Sequence, residues 1–202
     1  MTRRDPRNAI RHLYADRWGY DVSRAEESKV QATEGSSTYG EIMPTALDEL
    51  IDALDMDDGD TFFDLGSGMG KVVLQVAMTV AIKRCVGIEL VDSRHKIAQE
   101  VLVQAREQKL LKTDDVTFRN SDMLRARLTG ATVLYTCSTA FSDEFMAKLV
   151  HRLARLPVGI RLATLLDIED NDWFELDDVL RLDVTWRRRA KMHVYRLVRR
   201  RS

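Results

Sequence analysis

Apolar positions along this chain change period several times, and each change marks an element. Asn8 to Trp18 carries Ile10, Leu13 and Tyr14 at helical spacing, with Gly19 as the stop. From Ser23 to Tyr39 the residues are mostly Ser, Glu, Gln, Thr and Gly without a sustained period, which predicts a long loop, functional or mobile. Pro44 suits a first helical turn, and Leu47, Leu50, Ile51 and Leu54 recur on one face up to the Asp57-Asp58-Gly59-Asp60 turn. Next comes a short apolar strand, Thr61 to Leu65, then a glycine-rich loop, then the buried helical run Val72 to Val80.

The alternation continues to the end of the chain. Arg84 to Glu89 reads as a second strand, Ser93 to Gln108 as an amphipathic helix capped by Ser93, and Asp115 to Phe118 as a third strand. Ala131 to Thr136 is a fourth strand, and Ser142 to Leu156 a helix with Ser142 as N-cap, ended by Pro157. Gly159 to Leu166 is a fifth strand; Phe174 to Val184 and Ala190 to Val198 follow as two strands with no helix between them, a hairpin at one sheet edge. Repeated strand and helix units, with right-handed crossovers, give an α/β fold: a doubly wound seven-stranded sheet, mostly parallel with an antiparallel final strand. The chain divides into residues 1–42, a short helical extension with a covering loop, and a single α/β domain over residues 43–202.

A length of 202 residues suits one domain with a full core, and 45% hydrophobic against 31% charged residues is an ordinary globular balance. Net charge is −1, so attraction to nucleic acid or an acidic partner must be local. The one place for it is the basic C-terminal segment, where Arg187, Arg188, Arg189, Lys191, Arg196, Arg199, Arg200 and Arg201 cluster; a solvated strand face is the plainer reading. Cys85 and Cys137 lie in apolar runs, with neither a disulfide framework nor metal-ligand spacing, which implies a reducing cytoplasmic compartment. The start, Met1-Thr-Arg-Arg, has no apolar signal stretch, and no window reaches the roughly 18 apolar residues of a membrane span.

The chemistry concentrates in Asp64-Leu-Gly66-Ser67-Gly68-Met-Gly70 between strand and helix. Glycine permits both the tight turn and close approach of a ligand to the backbone. Nineteen residues beyond Gly70 the next strand ends in Glu89, where a carboxylate can accept both hydroxyls of a ribose. The spacing is G-x-G-x-G with Asp64 just before it; that carboxylate would repel a dinucleotide's pyrophosphate and attract the cationic amino-acid end of S-adenosylmethionine. A third acid, Asp122, follows the third strand, placed to accept from an adenine amino group while Met123 covers a ring face; a capping Asp beside a core Met is the alternative.

Ser37-Thr-Tyr39-Gly40-Glu41 followed by Asp64-Leu-Gly-Ser-Gly-Met-Gly70-Lys-Val-Val-Leu-Gln75 resembles the disruptor-of-telomeric-silencing class, the Dot-one-like lysine methyltransferases that lack a SET domain. The resemblance implies a Rossmann-like class I methyltransferase fold, S-adenosyl-L-methionine as cofactor and a protein substrate. It assigns Tyr39, Gly40 and Glu41 to folding over the methionine end, Glu89 to the ribose and Asp122 to the adenine. Two departures stand out. Lys71 replaces the family's Gln after the last glycine, adding positive charge beside the loop, and Cys137-Ser138-Thr139-Ala140-Phe141 replaces its Asn-Asn-Phe-Ala-Phe segment.

Methyl transfer needs alignment and desolvation more than covalent chemistry. Phe141 and Trp186, with Tyr39 near the cofactor, are the candidate walls of an acceptor channel, with plain core packing as the alternative for each, and His193 or Tyr195 share a strand with that region. Ser138 is a candidate polar contact to the methyl or amine, or else a hydroxyl that satisfies nearby backbone. The reading to be tested is transfer to a protein lysine; transfer to RNA or a small molecule, a noncatalytic cofactor-binding module and a nicotinamide-dependent oxidoreductase are the competing ones.

Overall fold

The computed structural model describes residues 5–168 and 171–201. Residues 1–4, the start of the expected N-terminal extension, lie outside them. Seven strands form one sheet: β1 (Thr61–Leu65), β2 (Arg84–Glu89), β3 (Val116–Asn120), β4 (Val133–Thr136), β5 (Arg161–Thr164), β6 (Phe174–Val184) and β7 (Arg187–Leu197), in the order β3-β2-β1-β4-β5-β7-β6. The first five run parallel, and β7 inserts antiparallel between β5 and β6. The doubly wound α/β sheet, mostly parallel with an antiparallel final strand, is what the alternation predicts.

Side chains alternate across the strands, so the sheet carries two cores. Phe62, Cys85, Val116 and Tyr135 pack under α1 (Pro6–Leu13), α3 (Pro44–Ala53), α4 (Lys71–Thr79) and α5 (Asp92–Glu107). Phe63, Val86, Leu134 and Leu162 pack on the other side under α6 (Asp143–Leu153). The strand order reverses between β1 and β4, and ligands of open α/β sheets bind outside the carboxyl ends of the strands at such a point.

Three details differ from the sequence expectation. The stretch from Ser23 to Tyr39 contains α2 (Arg24–Gln31), closed by a capping box in which Ser23 and Glu26 satisfy each other's backbone N–H groups. Periodicity misses it because only Val30 is buried. The helix predicted from Ser93 begins at Asp92, and Ser93 does not cap it: Glu26, from α2, accepts the Ser93 N–H at 2.7 Å. The last strand begins at Arg187, leaving Thr185 and Trp186 as a two-residue hairpin turn.

Candidate active site

The glycine loop turns at the carboxyl end of β1 with Gly66, Gly68 and Gly70 all at positive φ. At Gly68 two constraints coincide: φ is +53°, and a Cβ there would lie 2.4 Å from the Tyr39 ring. Only glycine lets Tyr39 close on the loop. The Gly68 N–H donates to Glu89 Oε2 at 2.7 Å, and the Val91 N–H to Glu89 Oε1 at 2.8 Å. Loop and second strand are thus clamped by the carboxylate that the sequence assigns to a ribose. Burial pushes the Glu89 carboxyl up, opposed by these N–H bonds and by Arg94 nearby.

Asp64 sits beside Gly87 and Tyr135 in the sheet register and is 2% exposed. Its carboxyl is held well above the usual range, first by burial and then by Glu89. Asp64 Oδ1 and Ser67 Oγ are buried polar atoms without a hydrogen-bond partner among the described residues. A buried, unpaired carboxylate is costly in isolation. Its position under a glycine loop fits a ligand that brings a cation and hydrogen-bond donors, so the donor set suits the amino-acid end and ribose of S-adenosylmethionine.

Outside the strand ends lies a narrow slot lined by Gly66, Glu89, Asp122, Met123, Cys137 and Phe141, and roofed by Val30 and the 36–40 segment. Its free volume is about 80 Å³, below the roughly 300–1,000 Å³ usual for ligand sites. Asp122 caps the following turn, accepting the Leu124 N–H at 2.7 Å, and it also lines the slot. Tyr39, Gly40 and Cys137 also form one wall of an adjoining chamber of about 500 Å³, whose other walls are Tyr20, Thr139, Ala140, Thr185 and Trp186.

Trp186, on the hairpin turn, lies against Gly40: a Cβ at Gly40 would stand 1.9 Å from its ring. The Ile42 bridge to Val184 and the Glu41 N–H to Thr185 Oγ1 bond hold hairpin and loop together. Tyr39 and Trp186 therefore meet in the chamber, while Phe141 lies in the slot instead, its ring centroid 4.7 Å from that of Phe145 with the planes tilted by 57°. Ser138 departs from the proposed contact role. It is fully buried, shares a 2.7 Å hydrogen bond with Thr164 and accepts the Leu166 N–H, so its hydroxyl ties β4 to β5 and borders neither cavity. Cys137, one residue earlier, stands at the junction of both, with its thiol pushed up to about 12 by burial. His193 borders another cleft, and Tyr195 donates to Asp167 from the core.

Lys71 does not border the slot. Its ammonium is 2.6 Å from Glu41 Oε2 and faces Tyr14 in a separate cavity. Glu41 Oε1 accepts the Tyr39 hydroxyl at 2.5 Å, so Glu41 holds Tyr39 on the loop rather than pointing into the slot.

Sequence reasoning passes over Arg94. It is 4% exposed, donates to Gly19 O and Ser37 O at 2.8 Å each, and lies over the Tyr39 ring at 4.5 Å. One guanidinium thereby fastens the N-terminal segment and the Tyr39 loop to the first turn of α5, beside Glu89. An arginine in an amphipathic helix reads as solvent-facing, and nothing in its local pattern distinguishes it. Glu26 is also missed, although Ser23-x-x-Glu26 is a legible capping signal.

The family profile described as "Histone methylation protein DOT1" matches residues 21–184. Proteins named "Histone-lysine N-methyltransferase, H3 lysine-79 specific" are 30% identical over 158 residues in Drosophila melanogaster and 27% identical over 138 residues in Yarrowia lipolytica. These alignments cover 72% and 64% of this chain but only 8% and 28% of the relatives. The chain thus spans less than a third of either. Among solved structures, an RNA methyltransferase from Salinibacter ruber in complex with S-adenosyl-L-homocysteine has a TM-score of 0.59 at 26% identity, covering 78% of this chain and 92% of that one. TrmN from Thermus thermophilus, with a TM-score of 0.60 at 18% identity over 78% of this chain and 49% of its own, shares the fold.

Proposed function

The chain belongs to the DOT1 histone methylation family, and from that premise we propose that it is an S-adenosylmethionine-dependent methyltransferase whose acceptor is a protein lysine amine. The observation that carries this reading is the adjacency of the two cavities: a carboxylate-lined slot at the glycine loop and an aromatic chamber share Tyr39, Gly40 and Cys137 as a common wall. Relatives that methylate a histone lysine support the choice of acceptor.

Glu89 would hold the ribose, Asp122 and Met123 the base, and Asp64 with the glycine loop the cationic amino-acid end. When bound, the cofactor supplies an electrophilic methyl group on a sulfonium. The residues of this chain supply placement and dryness. Tyr39 and Trp186 wall the path by which an amine reaches the slot, and the Gly40 contact keeps the indole close to the backbone. Among the described residues no carboxylate or histidine lines the chamber, and the Cys137 thiol, pushed up to about 12, stays neutral. No general base is therefore built in. An entering ammonium gives its proton to water, because an apolar aromatic wall favours the neutral amine. Entry to the slot requires α2 and the 36–40 segment to yield, since they leave only about 80 Å³.

The test has two arms. Calorimetric titration with S-adenosylhomocysteine should give saturable binding that is lost in Glu89→Ala. Labelled methyl transfer into fractionated lysate should mark protein that is sensitive to protease. A second reading, transfer to RNA, draws on the Salinibacter likeness; label in nuclease-sensitive material would favour it and overturn the lysine reading. We further place the protein in a reducing compartment such as the cytoplasm, since both cysteines are free.

A further inference from the structure

Beside the aromatic chamber lies a second cleft of about 430 Å³, and the two share Thr139 and Trp186 as a common wall. Three cations border it: Arg181 from β6 and Arg187 and Lys191 from β7. Arg181 and Lys191 stand directly opposite each other in the strand register. Like charges so placed destabilise a strand pair, and among the described residues neither is paired with a carboxylate. Such a local conflict belongs to places that do something other than fold.

The cleft also contains His193, 4% exposed, whose Nδ1 is buried with no hydrogen-bond partner among the described residues. Its Nε2 is 3.4 Å from Asp167 Oδ2, the one carboxylate among the described residues that borders the cleft, and Asp167 also takes the Tyr195 hydroxyl. Among the described residues, three cations face one carboxylate that is already engaged. An anion would relieve the Arg181–Lys191 repulsion, and two opposed cations suit a carboxylate held from both sides.

We propose that this cleft is a substrate subsite that takes a Glu or Asp side chain lying next to, or a few residues from, the lysine that enters the chamber. The proposal rests on the protein-lysine reading above. The common Trp186 wall sets the spacing, since extended chain advances about 3.3–3.6 Å per residue and only a residue or a few bridge adjoining cavities.

Fluorescein-labelled short peptides, each with one central lysine and either Glu or Gln on both sides, test it by anisotropy with the full chain saturated with S-adenosylhomocysteine. The Glu peptide is expected to bind about tenfold more tightly than the Gln peptide, the worth of one charge-assisted contact. The double substitution Arg181→Gln, Lys191→Gln should erase that difference, whereas Arg188→Gln, outside the cleft, should leave it in place; melting curves establish that both fold. Equal binding of the two peptides, no binding of either, or a preference that survives the double substitution overturns the subsite. Labelled transfer into lysate separates the two levels of inference. Protein label without an acid preference removes only the subsite, nuclease-sensitive label that vanishes in the double variant reassigns the cations to phosphate and overturns it, and no protein label removes the lysine reading beneath.

Discussion

Lys71 and Glu41 form an ion pair of 2.6 Å at the back of the cofactor loop, with 28% and 15% of their side chains exposed. The pair turns the extra cation away from the slot and converts it into a support: Glu41, held by Lys71 on one oxygen, holds the Tyr39 hydroxyl with the other. Lys71→Met should therefore leave a mostly shielded carboxylate without its cation and cost about 1–3 kcal/mol of stability. Lys71→Gln, which keeps a donor, should cost less. Denaturant titration of the three proteins measures both, and identical midpoints would mean that the pair contributes nothing.

Asp64 predicts an inverse coupling between stability and cofactor affinity. Its carboxyl is raised in the folded protein, so the fold binds that proton more tightly than the unfolded chain does. Stability from this group is present at low pH and is lost as pH rises from near 3.8, its ordinary value, through the raised folded value. Asp64→Asn should remove that loss. Its melting temperature relative to the native protein should improve as pH goes from acidic to neutral, while S-adenosylhomocysteine binding weakens. A gap that stays constant with pH would sink this account.

Glu26 runs the other way. Hydrogen bonds from Ser23 and Ser93 overcome a burial penalty and hold its carboxyl down at about 2 against the ordinary 4.5. The stability it contributes is complete above about 4.5 and disappears as pH falls toward 2. Because Glu26 joins α2 to the first turn of α5, the loss should be local. Amide exchange over residues 24–31 should quicken in Glu26→Gln at neutral pH, with far less change in the strands. Uniform acceleration across the chain would contradict the local character.

Gly40→Ala places a methyl group 1.9 Å from a ring carbon of Trp186. The indole, 45% exposed on a hairpin turn, is free to swing outward, so the fold should survive. Methyl transfer should drop at least tenfold through lost alignment, and Trp186 emission should shift to the red, with Trp186→Phe as the spectroscopic reference. Native emission and native turnover in the folded variant would remove Trp186 from the chamber wall.

Much of the fold was legible because its signals are short in range. The central strands β1, β2 and β4 are apolar runs bounded by turns, and the Ser142 cap of α6 and the Asp64 to Gly70 loop lie within a few residues of the structure they direct. Glu89 and Asp122 were legible as acids at strand ends for the same reason. The helix α2 escaped because a helix lying on the surface buries one residue and leaves no period to detect.

The alternating layers, the glycine turn and the carboxylates beside it follow from local signals, since propensity, pattern and capping act between near neighbours. What covers that site depends on contacts made only in the folded chain. The Arg94 bond to Ser37, the Trp186 contact with Gly40 and the Glu41 bond to Thr185 join residues 57 to 146 positions apart. The inward turn of Ser138 was likewise settled by Thr164 on the neighbouring strand. Such pairings arise only when the sheet has brought its strand ends together, and no local periodicity records them.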